Sequence, residues 1–335
     1  MNKICIGVDI SMDEFHACIK VRFTDGSVKV KGTRTFKNTS KGHLEFFEWS
    51  LKTYKTKLPV WYVMEATGVY FENLAYFLYK KNQQVSVVLA NKIKNYIKSL
   101  NIKTKTDKVD SIHIAGYGIE RELDIWKPMS TQYKKLRDLC RELLSFKKEL
   151  QRSKCQLHAM NSSHEKLDKI VALKEEQIEF YKKAIDTIKQ EIKEAVNQDE
   201  ELKERIVKLE TVPGLGFETI VILIAETNGF ALINNVRQLV SYAGLDITLN
   251  ESGKYRGKSR ISKRGNSRIR QALYMPSMTA TRANESIKNL YERVCERNPE
   301  VKRKGIVAGM RKLLILAYSL WKNDQVYNKE YQWGL

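Results

Sequence analysis

Three short runs suited to extended backbone stand almost end to end at the start of the chain, at residues 3–9, 16–22 and 28–36, and they constrain the fold more than any other feature. Each is rich in β-branched residues or alternates apolar with polar, and only brief turns such as Thr24-Asp25-Gly26 separate them, so consecutive runs are expected to pair antiparallel. Two further strand patterns, 59–65 and 84–90, alternate with helical ones. Residues 42–54 carry Leu44, Phe47 and Leu51 at helical spacing, and residues 69–81 carry Tyr70, Leu74, Phe77 and Leu78. The order βββαβαβα predicts an α/β domain with an RNase H-like sheet.

From Leu136 the apolar period changes to alternating steps of three and four, through Leu139, Leu143, Phe146, Leu150, Leu157 and Met160. A second seam passes through Ile178, Tyr181, Ile185, Ile188, Ile192, Ala195, Leu202, Ile206 and Leu209. Such heptad seams predict two long helices, and the break at Asn161-Ser162-Ser163 lets them form an antiparallel coiled-coil arm or, equally, an intermolecular one. A third region opens at Pro213-Gly214-Leu215-Gly216 before the apolar run 219–226 and reads as a compact helical domain. Backbone N–H groups at that glycine-flanked helix start suit a phosphate, and a plain interhelical turn explains the same residues as well. The expected division is 1–127, 128–209 and 210–335.

A chain of 335 residues, 42% of them hydrophobic, supports more than one core. Its 59 Lys and Arg against 39 Asp and Glu leave a formal charge of +20, which points to a polyanionic partner, with nucleic acid the natural one. A membrane surface also attracts such charge, but the longest strongly apolar stretch, 220–225, falls far short of the roughly 20 residues that span a bilayer. With no uninterrupted apolar segment near the N-terminus, the expected location is the cytoplasm. Cys5, Cys18, Cys140, Cys155 and Cys295 are scattered without a CxxC pair, which disfavours a disulfide framework and a zinc site.

Four carboxylates fall where phosphoryl-transfer chemistry needs them. Asp9 closes the run Ile4-Cys5-Ile6-Gly7-Val8, Glu65 closes Val60-Trp61-Tyr62-Val63-Met64, and Asp107 and Asp110 share a face where a helix is expected to begin. Taken singly, each has an ordinary explanation: a strand-end acid meets solvent, and Asp in a first helical turn complements the helix dipole. Taken together they form an all-oxygen donor set suited to Mg²⁺, with Mn²⁺ as a substitute, which could polarise a phosphate oxygen and stabilise a leaving oxygen. Asp13 and Glu14 also follow the first strand but are expected to begin the second one in solvent.

Residues 254–270 carry eight basic side chains, Lys254, Arg256, Lys258, Arg260, Lys263, Arg264, Arg268 and Arg270, and no acid. A charge run is often only a solvated face, yet density of one sign with Gly257 and Gly265 allowing close backbone approach favours nucleic-acid contact. Just before it, Ser252 sits in Glu251-Ser252-Gly253, mostly a turn signature, and becomes a nucleophile candidate only if it is carried to the carboxylate-bound metal, which could lower the barrier to its deprotonation. His16, His43, His113, His158 and His164 show no ligand spacing. Tyr255 is the best of a weak field of tyrosine nucleophiles.

Taken in order, these motifs resemble the IS110-family transposases, including the IS1111-type members. Gly7-Val8-Asp9-Ile10-Ser11, Met64-Glu65-Ala66-Thr67-Gly68 and Lys105-Thr106-Asp107-Lys108-Val109-Asp110 resemble that family's DEDD, RuvC-like catalytic segments. Pro213-Gly214-Leu215-Gly216, Tyr242-Ala243-Gly244-Leu245, Ser252-Gly253 and Arg260-Ile261-Ser262-Lys263-Arg264-Gly265-Asn266 resemble its C-terminal transposase domain. The resemblance implies a recombinase that moves an insertion sequence, with the acids on Mg²⁺ and a C-terminal serine forming a covalent phosphoserine link to DNA. Ser252 fits that serine best, with Ser241, Ser259 and Ser262 close by. It further implies a structured guide RNA and a dimer or tetramer built through the coiled coil. Two rivals stand beside this reading: a RuvC-like junction resolvase in which water attacks, and a nonenzymatic nucleic-acid-binding scaffold.

Overall fold

The computed structural model describes residues 2–53, 58–102, 106–231, 233–253, 255–257 and 259–330, with the backbone alone for Arg256. Lys254 and Lys258 of the basic run lie outside the described residues, as do Lys103 and Lys105 beside Asp107. The chain forms two compact units, residues 1–128 and 129–335.

The first unit begins with β1 (Lys3–Ile10), β2 (Glu14–Arg22) and β3 (Val28–Lys37), followed by α1 (Ser40–Thr53), β4 (Val60–Glu65), α2 (Glu72–Lys80), β5 (Gln84–Val88), α3 (Ala90–Ser99) and α4 (Asp107–Glu120). The five strands make one sheet in the order β3-β2-β1-β4-β5. β2 is antiparallel to β1 and β3, whereas β4 is parallel to β1 and β5 to β4. This mixed sheet fits the RNase H-like arrangement expected from element order. Asp13 and Glu14 are exposed at the start of β2, as expected.

Ile4 through Val8 are all buried, because β1 lies mid-sheet with helices over both faces. One face packs Phe15, Phe36, Phe46, Tyr62, Leu74 and Leu78 against α1 and α2. The other packs Val63, Val88, Ile93 and Ile114 against α3 and α4. The edge strand β3 is largely exposed and carries Lys29, Lys31, Arg34 and Lys37, charges that discourage pairing with another chain. Helix α3 is an addition to the expected order. Of its side chains only Ile93 and Tyr96 are buried, and no side chain caps its start, so it carries little of the usual helix signal.

The second unit starts with α5 (Thr131–Asn161) and α6 (Asp168–Asn197), helices of 31 and 30 residues. They run antiparallel: Lys135 faces Glu191, Phe146 faces Phe180 and Tyr181, Ser153 bonds Gln177, and Lys174 bonds Gln156. The second heptad seam does not lie on one helix. It divides between α6 and α7 (Glu200–Glu210), because the Asp199 side chain accepts from Leu202 N at 2.9 Å and starts a new helix. Then come α8 (Phe217–Thr227), α9 (Val236–Ala243), the two-residue strands β6 (Ile247–Thr248), β7 (Glu251–Ser252), β8 (Tyr255–Arg256) and β9 (Arg260–Ile261), and α10 (Ser267–Ala283), α11 (Glu285–Glu296) and α12 (Arg303–Asn323). One apolar core extends from Leu136 of α5 through Ile185 of α6 and Ile206 of α7 to Trp321 of α12. From Thr219 to Thr227 every residue of α8 is buried within this unit. The Gly-rich turn before α8 is a packing device: Gly214 lies at φ +94°, and a Cβ there would stand 2.7 Å from that of Ala280 in α10.

Candidate active site

Helix α4 carries two of the four acids, and glycines fix its course. A Cβ on Gly7 would lie 2.1 Å from Ala115 N and 2.4 Å from Ser111 O, so α4 rests on β1 backbone to backbone. A Cβ on Gly118 would lie 2.8 Å from Val63 Cγ2 and 3.1 Å from Cys5 Sγ. As α4 advances from Ser111 to Gly118 it therefore retreats along β1 from Gly7 to Cys5. Its N-terminus lies over the C-terminal ends of the parallel strands, held by Thr106, whose side chain accepts from Val109 N at 3.3 Å. The register that pairs Val8 with Met64 leaves Asp9 and Glu65 as the next residues of adjacent strands. All four acids thus occupy one end of the sheet.

Asp9, Glu65 and Asp110 are partly buried and Asp107 is exposed. After Glu65 the chain leaves the sheet, with Ala66 N bonded to Val88 O and Thr67 N to Glu65 O, both at 2.9 Å. Among the described residues, no three His, Cys, Asp or Glu side chains stand close enough to hold a metal ion. The donor set is nonetheless all oxygen, as a hard divalent cation requires, and α4 is seated on β1 by its backbone. His113, one helical turn beyond Asp110, is pushed below the usual imidazole value by burial and by the Lys20 ammonium, against the pull of Asp110.

In the second unit Ser252 is exposed on a tight hairpin rather than in an open loop. It pairs with Tyr255 across β7 and β8, beside the Glu251–Arg256 pair, and Gly257 N closes the ribbon on Asn250 O at 2.8 Å. The neighbouring serines differ from it. Ser262 donates to Asp246 Oδ1 and accepts from Arg264 N at 3.3 Å, Ser241 lies in α9, and Ser259 is exposed between β8 and β9. Of the basic run, Arg260, Lys263, Arg264 and Arg268 are exposed. Arg270 instead donates to Ala243 O at 2.8 Å and Gly265 O at 3.2 Å, bracing the turn.

Beneath that turn lies a polar cluster that pattern reading missed. The Glu226 side chain, 1% exposed, accepts from Arg141 Nε at 2.7 Å and Nη2 at 3.0 Å, and from Asn266 Nδ2 at 2.7 Å. Tyr242 OH donates to Glu226 O at 2.7 Å. Burial works to raise the Glu226 carboxyl, but the hydrogen bonds from Arg141 and Asn266 outweigh it and hold the group below the usual carboxylate value. An acid inside the apolar run of α8 was the available signal, since burial of that charge demands a partner.

An α/β sheet with carboxylates at one end is joined in one chain to a helical unit bearing a basic turn. Comparison with known proteins gives that arrangement a family. A DEDD transposase model of the IS110 type matches residues 6–163, and the Transposase IS116/IS110/IS902 family model matches residues 207–292. The chain belongs to the IS110 family of transposases, enzymes acting on DNA. It is 28% identical over 330 residues to the pilin gene-inverting protein of Moraxella bovis, covering 98% of this chain and 99% of that protein, and equally so to the one of Moraxella lacunata. A solved Thermus thermophilus RuvC structure aligns over 37% of this chain and 99% of its own at 10% identity, with a TM-score of 0.29, too low to carry weight. No helix among the described residues is long and apolar enough to cross a membrane.

Proposed function

We propose that this transposase is a Mg²⁺-dependent, RNA-guided DNA recombinase that cuts and rejoins DNA through a phosphoserine at Ser252. The observation that carries the reading is the course of α4 over β1, which gathers Asp107 and Asp110 toward Asp9 and Glu65 from three separate stretches of sequence. These four would hold the cation, with Mn²⁺ as a substitute. When bound, it neutralises charge on the phosphate and on the leaving oxygen.

The Ser252 hydroxyl attacks phosphorus, its proton passes to a carboxylate or to solvent, and the bond to the departing DNA oxygen breaks as that oxygen takes up a proton. Attack on the phosphoserine by a DNA hydroxyl reverses these changes, joins the new strand and frees the serine. Exposed Arg260, Lys263, Arg264 and Arg268, with Lys254, Arg256 and Lys258 of the same run, would bind and orient the phosphate backbone, while Arg270 would brace the turn that carries them. The +20 charge permits binding of DNA and a guide RNA together. Leu167, Leu173 and Phe180, each more than half exposed on or beside α6, support a dimer or tetramer built through the arm. In this reading 1–127 is the carboxylate domain, 128–209 the arm, and 210–335 the domain that carries the serine. The relatives' name, gene-inverting protein, supports DNA rearrangement as the outcome.

The test is to incubate the full chain with its element's flanking DNA, the element's noncoding RNA and Mg²⁺, then denature and map any attached peptide. The expected result is a DNA adduct on Ser252 that is lost in Ser252→Ala. Cleavage without an adduct, retained in Ser252→Ala, would replace this reading with a resolvase-type endonuclease in which water attacks.

A further inference from the structure

Asn266 is the joint between the buried carboxylate and the basic turn. Its Nδ2 donates to Glu226 Oε2 at 2.7 Å, its Oδ1 accepts from Arg268 N at 3.0 Å and Ile269 N at 3.3 Å to cap α10, and its own N–H donates to Tyr242 O at 2.7 Å. The preceding Gly265 is pressed against a second turn. A Cβ there would stand 2.5 Å from both Gly244 N and Tyr242 O, so the two turns touch through their backbones. Lys263 is held at φ +53°, an uncommon angle for a residue with a side chain, with its N–H on Gly244 O at 3.1 Å. The other oxygen of Glu226 accepts from Arg141 of α5, 85 residues earlier.

We propose that Glu226 is a positioning residue for nucleic-acid binding: clamped by Arg141 and Asn266, it fixes the backbone of turn 262–266 so that Lys263 and Arg264 face a phosphate backbone. The inference rests on the reading of the basic run as a nucleic-acid contact. Lys263, Arg264 and Arg268 are exposed, Arg268 also standing 3.9 Å from Glu226, whereas Arg270 braces the backbone, so the outward and inward members of the run have different tasks. A cation on a loose turn loses side-chain and backbone freedom when it meets a phosphate. A turn locked from beneath has already lost the backbone part.

The experiment measures affinity of the full chain for random-sequence duplex DNA by fluorescence anisotropy across a salt series, with circular dichroism and a melting curve on each variant. Lys263→Ala/Arg264→Ala is expected to lower the slope of log affinity against log salt by about 2. Glu226→Gln is expected to lower it in the same direction, and adding it to the double variant to change nothing further. Asn266→Ser keeps a capping oxygen and removes the donor to Glu226, so it tests the link should Glu226→Gln fail to fold, and the same loss is expected. If the double variant weakens binding while folded Glu226→Gln or Asn266→Ser binds like the parent, the positioning role is overturned. If the double variant itself binds like the parent, the nucleic-acid reading of the basic run falls, and the inference with it.

Discussion

The two units place their candidate reactive groups by different means. In the first, Asp9 and Glu65 lie at the C-terminal ends of adjacent parallel strands, and Asp107 and Asp110 ride on a helix seated backbone to backbone on one of them. Sheet register and glycine contacts do the positioning there. In the second, Ser252, Arg260, Lys263 and Arg264 sit on two-residue strands and turns that gain little from backbone pairing alone, and a buried carboxylate with partners from distant helices holds the basic turn. On the proposed reading, acids that would share one cation need a stiff frame, while groups that would meet a long polymer sit on exposed turns anchored from below.

The largest effect should come from removing the acids themselves. Asp9→Ala or Glu65→Ala should lower DNA cleavage about a thousandfold, some 4 kcal/mol of barrier, with DNA affinity unchanged in an anisotropy assay. Retained cleavage would show that the sheet end is only a frame. Gly7→Ala comes next, because its Cβ would meet Ala115 N at 2.1 Å. It should cost about 3 kcal/mol in urea unfolding by lifting α4 off β1, and impair cleavage with it. In the second unit, Arg141→Met leaves Glu226 without its main partner and should cost about 2 kcal/mol, discounted for the partial exposure of Arg141. Arg141→Met/Glu226→Leu should recover most of that loss, and failure to recover it would mean that the pair does more than satisfy a buried charge.

Acid should separate the units by a smaller margin. Burial holds His43 below the usual imidazole value, and Nε2 lies 2.8 Å from Asn38 Oδ1. Its lowered folded value means that the unfolded chain binds the proton first, so the first unit should lose stability as pH falls below about 6.5. Glu226 is also lowered, so its contribution is complete above about 4.3 and fades only as pH falls through the lower folded value. Melting followed by probes in each unit should show the first weakening at the higher pH. His43→Gln should reduce that early loss, and the part that remains should come from His113, whose value is lowered by burial and by Lys20.

The same division decides what could be read from sequence. The strand runs, the helix start at Asp107 capped by Thr106, and the hairpin-forming turn at Asp25 are local, and neighbouring residues specify them. Gly7 was visible only as a residue within a strand, and its contact with Ser111 and Ala115 depends on how α4 packs. Helix α3 escaped because its apolar stripe is thin and its start uncapped, and the α6–α7 break because an unbroken heptad phase outweighed a single capping Asp199. The Glu226 cluster joins residues 85 and 40 positions apart, and no periodicity reports such a pairing. Ser252 was legible as a hydroxyl beside a glycine, but its pairing with Tyr255 was not.

The most direct measurement replaces Mg²⁺ with Fe²⁺ on the full chain, adds ascorbate and peroxide, and maps where hydroxyl radicals released at the cation cut the backbone. Convergence of the four acids predicts cuts beside Asp9, beside Glu65 and between Asp107 and Asp110, all suppressed by excess Mg²⁺ and by Asp9→Ala. Cuts confined to one of those segments, or unchanged in Asp9→Ala, would contradict a shared cation site.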